Sequence, residues 1–232
     1  DSRSRPPDYR LGTFMIPGTT ILISDPRVLG VPISDNNDPL VDLIEFPKIR
    51  IDQRKSKVSI SFSKIRKSVA SKLVEVQNIL PQSLQLLVIE GHRPLTLQKK
   101  YFEEYSQELR NTHPDWTTDK IYQETSKYVA PPEIIPPHST GGAVDLTLTD
   151  AGGKELDMGT GVNADPEESK NTCFTMAQNI SEQAKKNRRI LIDAMSQSGF
   201  VNYPTEWWHW SYGDRYWALL AKQQVAIFDS IE

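Results

Sequence analysis

Residues 136–148, Pro-Pro-His-Ser-Thr-Gly-Gly-Ala-Val-Asp-Leu-Thr-Leu, constrain this chain more than any other stretch. They set an imidazole, His138, and a carboxylate, Asp145, on either side of a Gly-Gly pair. Glycine lets the backbone turn sharply and lie close to whatever the two side chains hold. Beyond the glycines the residues alternate: Val144, Leu146 and Leu148 point one way, and Ala143, Asp145 and Thr147 the other. This pattern predicts a strand with one face in the core and Asp145 on a face turned to a cleft.

A carboxylate in such a place needs a partner. A metal ion shared with His138 is one candidate, and a structural hydrogen-bonded pair is the other. Residues 203–212, Tyr-Pro-Thr-Glu-Trp-Trp-His-Trp-Ser-Tyr, favour the metal. A catalytic zinc takes three His, Asp, Glu or Cys ligands and keeps a fourth position for water. His138, Asp145 and His209 make such a set, one zinc per chain, and Glu206 is the candidate to accept the proton of the bound water. In a regular strand Glu206 and His209 would face opposite ways. Their convergence requires a bulge or helical turn near Trp207 and Trp208.

The two stretches lie about 60 residues apart and must meet, which favours one domain for the 232-residue chain. Net charge is −3 with both signs interspersed, which argues against nucleic acid or an anionic membrane as the main partner. No run approaches the ~18 apolar residues of a membrane-spanning helix, so no membrane insertion is expected. The lone cysteine, Cys173, cannot form an intrachain disulfide and reads as a packed residue rather than a nucleophile. Numbering starts at Asp1; a removed export signal explains that, as does trimming, so an exported or periplasmic protein is the expectation and a cytoplasmic one the alternative. Oligomeric state stays open.

In order, residues 1–60 read as an irregular N-terminal wrap with short strands at 20–23 and 41–44, and a hairpin around Asp52 to Lys57. Residues 61–232 read as the main domain. The spacing of Ile65, Val69, Leu73, Val76 and Leu80 predicts a helix over 63–80, capped by Ser61 or Ser63 and ended by Pro81. Leu84–Glu90 reads as a central strand ending at Gly91-His92-Arg93-Pro94, which puts Arg93 on a rigid strand end. Helices follow over 96–109 and from Thr117 or Thr118 to Tyr128. The proline-rich 130–137 segment is expected to be extended. Asp165-Pro166 signals a helix start, Ser181 to Ser198 is the clearest later helix with Gly199 as its stop, and 215–228 suggests a closing helix. The basic cluster at 185–189 reads as a solvated helix face. Because strands and helices do not alternate, the expected class is α+β: a mainly antiparallel central sheet flanked by helices.

The spacing His138-x6-Asp145 with Glu206-x-x-His209 resembles the zinc D-alanyl-D-alanine dipeptidases of the VanX type, within a wider group of zinc peptidases that includes VanY-type D,D-carboxypeptidases. The family pattern Ser-x-His-x-x-Gly-x-Ala-x-Asp is met by His138, Gly141, Ala143 and Asp145. Glu206-Trp207-Trp208-His209, Gly91-His92-Arg93-Pro94, Asn187-Arg188-Arg189 and Ser198-Gly199-Phe200 also match, so the resemblance runs from about residue 63 to 218. It implies hydrolysis of D-Ala-D-Ala or a related small peptide of D-amino acids. His138, Asp145 and His209 would be the zinc ligands, Glu206 the general base and later acid, and Arg93 the stabiliser of the oxyanion. The chain departs from the pattern at Pro136, where the family has serine, and at Asn163, where it has the Asp that helps hold the substrate's amino group. It also lacks the family's Asn-Phe-Thr-Gly hairpin. Pro136, Asn163 and Trp208 are therefore the candidate substrate contacts. The departures leave a second reading, a carboxypeptidase or endopeptidase acting on longer peptidoglycan peptides. A third, a non-catalytic module with structural zinc, is disfavoured by intact Glu206 and Arg93.

Overall fold

The computed structural model describes residues 20–232; the first part of the expected N-terminal wrap, residues 1–19, lies outside the described residues. The elements run α1 (Pro26–Leu29), β1 (Leu40–Asp42), β2 (Arg50–Ile51), β3 (Lys64–Arg66), α2 (Lys67–Ile79), β4 (Leu84–Glu90), α3 (Leu95–Thr112), α4 (Thr118–Thr125), β5 (Ala143–Asp150), α5 (Glu182–Gln197), β6 (Val201–Tyr203), β7 (Glu206–Ser211) and α6 (Arg215–Leu220). Five strands form the main sheet in the order β2-β4-β5-β7-β6. Only the edge pair β2–β4 is parallel; β4–β5, β5–β7 and β6–β7 are antiparallel. The expected α+β class with a mainly antiparallel sheet is what the chain adopts.

One face of the sheet carries the core. Leu86 and Val88 of β4 and Val144, Leu146 and Leu148 of β5 are fully buried with Val69, Leu73 and Val76 of α2 and Leu191, Ala194 and Met195 of α5. Each such Val, Leu or Met side chain contributes about 1.5–3 kcal/mol of burial, so the strands that bear the site are held firmly from behind. The other face lies toward α3, whose Tyr101 and Tyr105 help line a cleft. Thr147 and Thr149 share Asp145's side of β5 but are themselves buried, so that face opens only near Asp145.

Several local expectations are revised. Lys64–Arg66 is a strand paired with Leu40–Asp42, so α2 begins only at Lys67 and neither Ser61 nor Ser63 caps it. Ile65 satisfies the helical period and the strand equally well, and pairing with β1 decides the matter. No hairpin forms around Asp52; Arg50–Ile51 instead joins the main sheet parallel to β4. No strand forms at 20–23. The proline-rich segment contains two 3-10 turns, Pro132–Ile134 and Pro137–Thr140, joined through Ile135 at φ 54°. Asp165 makes capping bonds to the amides of Glu167 and Glu168, yet only turns follow, because Lys170 and Asn171 adopt positive φ. The closing helix stops at Leu220, and Lys222 turns the chain at φ 55°.

The segment after α6 returns to the site. Ile231 donates its amide to Ser139 O (2.8 Å), and His92 Nε2 donates to Ile231 O (3.0 Å). Buried Arg66 collects acceptors from three parts of the chain: Thr140 O (2.8 Å), Asp38 O (2.6 Å) with the Asp35 carboxylate (2.8 Å), and Asp229 O (2.8 Å).

Candidate active site

All eight residues singled out from the sequence line one cleft of about 410 Å³. His138 arrives on the Pro137–Thr140 turn, with Pro136 capping it. The turn closes at Gly141, which adopts φ 70°. A Cβ on Gly142 would lie 2.3 Å from Tyr212 O, so the Gly-Gly pair admits no larger residue there without a shift. Asp145 and His209 are directly paired neighbours on β5 and β7.

Glu206 and His209 converge because β7 bulges as expected. Pairing with β6 jumps from Asn202↔Trp210 to Tyr203↔Glu206, so a single step on β6 spans four residues of β7. The bulge takes up Trp207 and Trp208. Trp207 is buried, with Nε1 donating to Thr160 Oγ1 (2.9 Å), and Trp208 stacks edge-on against it while facing the cleft.

The donor atoms form a small triangle. His138 Nε2 lies 3.1 Å from His209 Nδ1, and Asp145 Oδ1 lies 3.3 and 3.2 Å from those two atoms. An outer contact fixes the tautomer of His138. His138 Nδ1 meets Gly91 O at 2.8 Å, and a carbonyl only accepts, so Nδ1 carries the proton and Nε2 the lone pair. His209 Nε2 faces Ser211 Oγ at 3.4 Å, leaving Nδ1 to point inward. Asp145 Oδ1, buried, accepts no hydrogen bond. The His138 lone pair, His209 Nδ1 and a carboxylate oxygen facing one another at these distances need a proton or a cation between them. The triangle fits zinc: ligand bonds of about 2.0–2.1 Å in a tetrahedron separate donors by about 3.3 Å.

Burial pushes the Asp145 carboxyl up, but positive charge and N–H donation from protonated His138 and His209 rings hold it well below the usual range. Glu206 Oε2 stands 3.9 Å from His209 Nδ1. Its burial raises its pKa to about 7, which suits a group that must take and return a proton near neutrality.

Arg93 sits at the end of β4, both cleft-lining and salt-bridged. Its Nε and Nη2 donate to Glu90 Oε1 and Oε2 (2.9 and 2.8 Å), and Nη1 donates to Gln98 Oε1 (2.8 Å). A guanidinium has five N–H groups, so one on each terminal nitrogen remains for the cleft. Burial pushes Glu90 up, but the Arg93 charge outweighs it and holds the acid at about 2. Lys55 stands 3.5 Å from Glu90 and, with Arg93, flanks the Tyr101 ring. Glu90 was missed from the sequence, although an acid closing an apolar strand three residues before an arginine is a readable signal.

Asn163 lines the cleft at φ 62°, and Asp165 reaches the same cleft, with Tyr105 Oη donating to its Oδ2 at 3.3 Å. His92 does not reach it and is turned to Ile231 instead. His113 stacks on Trp116 in a loop. The basic cluster of α5 divides: Arg188 is buried, its guanidinium donating to the carbonyls of Met158, Phe174 and Thr172, while Lys186 and Arg189 are exposed as expected.

The profile of the D-ala-D-ala dipeptidase family matches residues 60–230. The D-alanyl-D-alanine dipeptidase of Synechocystis sp. is 27% identical over 217 residues, covering 82% of this chain and 88% of its own. That of Enterococcus faecalis is 32% identical over 153 residues, covering 62% of this chain and 70% of its own. Among solved structures, a mutant of the vancomycin-resistance D,D-pentapeptidase VanY in complex with Zn(II) is similar at a TM-score of 0.42 and 16% identity, over 70% of this chain and 81% of that one. With most of its length matched by that profile, the chain belongs to the D-Ala-D-Ala dipeptidase family.

Proposed function

We propose that the protein hydrolyses D-Ala-D-Ala or a closely related cell-wall dipeptide in a zinc-dependent reaction. The observation that carries this reading is the triangle of His138, Asp145 and His209 with Glu206 at 3.9 Å and Arg93 on the same cleft wall. A zinc ion held by those three residues supplies Lewis acidity to the scissile carbonyl and lowers the pKa of a water. Glu206 takes the proton from the attacking water and returns it to the leaving amine. Arg93, fixed by Glu90 and Gln98, directs its remaining N–H groups at the charge developing on the carbonyl oxygen, which costs no reorganisation during reaction.

The cleft is also polar in a way that suits a zwitterion. Lys55 and Arg93 contribute positive charge, while Glu104, Glu108 and Asp165 contribute negative charge. Asn163 replaces the family carboxylate at the amine site, but Asp165 brings one to the same cleft. Its Oδ2, bound among the described residues by the Tyr105 hydroxyl, retains acceptor capacity for an ammonium. A second reading, cleavage of longer peptidoglycan peptides, is favoured by the cleft's extent past Tyr105 and Glu108. Incubation with D-Ala-D-Ala and, separately, with a pentapeptide ending in D-Ala-D-Ala, with products identified by mass, decides between them. Release of free D-Ala from the dipeptide alone supports the first reading. Release from the pentapeptide alone replaces it with the second, and no release from either refutes both.

A further inference from the structure

We propose that Asn202 is a positioning residue for the reaction: its side-chain amide holds the bulge of β7 that turns Glu206 and His209 to the same side of the strand. The inference rests on the zinc-peptidase reading of the cleft.

Residues three apart in a regular strand face opposite ways, so the site exists only while the bulge exists. Asn202 lies on β6 beside it. Its Nδ2 donates to Glu206 O at 3.1 Å and to His209 O at 3.0 Å. One nitrogen therefore ties the backbone of the base residue to the backbone of a metal-binding residue. The amide cannot be reversed, because both carbonyls only accept. Its Oδ1 takes the Thr175 hydroxyl at 2.5 Å, which locks the orientation. The far side of the bulge is held by the same loop. Trp207 donates its amide to Cys173 O (3.1 Å), and Thr175 donates its amide to Pro204 O (2.9 Å). Arg188 fastens that loop through Thr172 O and Phe174 O.

An asparagine that only completed the sheet would hold any of the neighbouring backbone groups. This one holds the two whose side chains must converge, across a stretch where the ladder between β6 and β7 is interrupted. A misplacement of about 1 Å in such a constellation lowers a rate by as much as ~10²-fold.

The test uses variants that keep the shape. Asn202→Asp has the same outline but only accepts, and it faces two carbonyl oxygens. Thr175→Val removes the hydroxyl that orients the amide, and Thr175→Ser restores it. For each full-length protein, the zinc dissociation constant is measured by chelator competition. Thermal unfolding and kcat and KM on D-Ala-D-Ala are measured at saturating zinc. Asn202→Asp is expected to weaken zinc binding by about 10–100-fold and to lower kcat by at least ~10-fold with KM little changed. Thr175→Val should show the same split in milder form, and Thr175→Ser should recover most of it. A folded Asn202→Asp with wild-type zinc affinity and kcat overturns the proposal, as does a loss confined to thermal stability. Should Asn202→Asp not fold, Thr175→Val decides, and wild-type values in it overturn the proposal equally. If the wild-type protein binds zinc but cleaves no peptide, the functional reading fails while the zinc-affinity comparison still decides the role of Asn202.

Discussion

Replacing Glu90 by Gln tests how the cleft holds its fixed cation. The change keeps the side chain's volume and one acceptor but removes the charge that meets Arg93 at 2.9 and 2.8 Å. Both partners are largely out of water, with side chains 1% exposed for Glu90 and 13% for Arg93. Removing one member of a buried pair costs about 3–5 kcal/mol. The Gln amide oxygen and Gln98 still accept from the guanidinium, so the lower end applies, about 3 kcal/mol. For a chain of this size that is a fall in Tm of roughly 6–12 °C. The second effect falls on the site. The other carboxylate meeting Arg93 is Asp145, whose Oδ2 lies 3.9 Å from Nη2. Without Glu90 the guanidinium turns to Asp145 and competes with the cation for it, and zinc affinity drops by about 10–100-fold. Thermal unfolding of the zinc-free protein measures the first effect, and chelator competition the second. A lower Tm with unchanged zinc affinity would make Glu90 a stability residue alone. An unchanged Tm would refute the burial argument itself.

Three further outcomes are expected. His138→Ala and His209→Ala should each lose most bound zinc by elemental analysis, and full retention in both would dismantle the ligand set. Glu206→Gln should retain zinc while kcat falls by at least ~10²-fold; normal turnover would mean another group activates the water. Asp165→Asn should lower kcat/KM for D-Ala-D-Ala by roughly 10–30-fold, the effect of trading a charged for a neutral partner, and leave an N-acetylated analogue unaffected. Equal losses on both would remove Asp165 from the amine site, and an Asn163→Asp variant with raised activity on the free dipeptide would return that site to residue 163.

The parts of the fold legible in advance were those whose pattern had one physical solution. Val144, Leu146 and Leu148 alternate with Asp145, and only a strand satisfies that, although its polar face is buried as well. Glu206 and His209 have the wrong spacing for one strand face, which required a bulge or a helical turn, and the register shift of β7 is the bulge. Ile65 had two solutions, and the pairing of β1 with β3, invisible in either segment alone, chose between them. The 221–228 stretch looked helical by composition, but its backbone finds partners elsewhere: Ala226 donates to Pro32 O and Phe228 to Gly213 O. Asn202 escaped notice, and Arg188 was read as part of a solvated face, for a related reason. They act through neighbours brought close by the sheet and by the 172–175 loop, and residue type alone does not announce such a role.

The loop that carries His138 is closed by residues that follow it much later, through the Ile231–Ser139 bond and the Arg66 bonds to Thr140 and Asp229. On a ribosome adding about 5–20 residues per second, the roughly 90 residues between Ser139 and Ile231 take about 5–20 s to make. Throughout that interval the His138 turn has no lid, and long-range closure of this kind is slow in its own right. The turn that would hold the proposed metal centre therefore gains its last contacts only after Ile231 is made, well after His138 itself has been added to the chain.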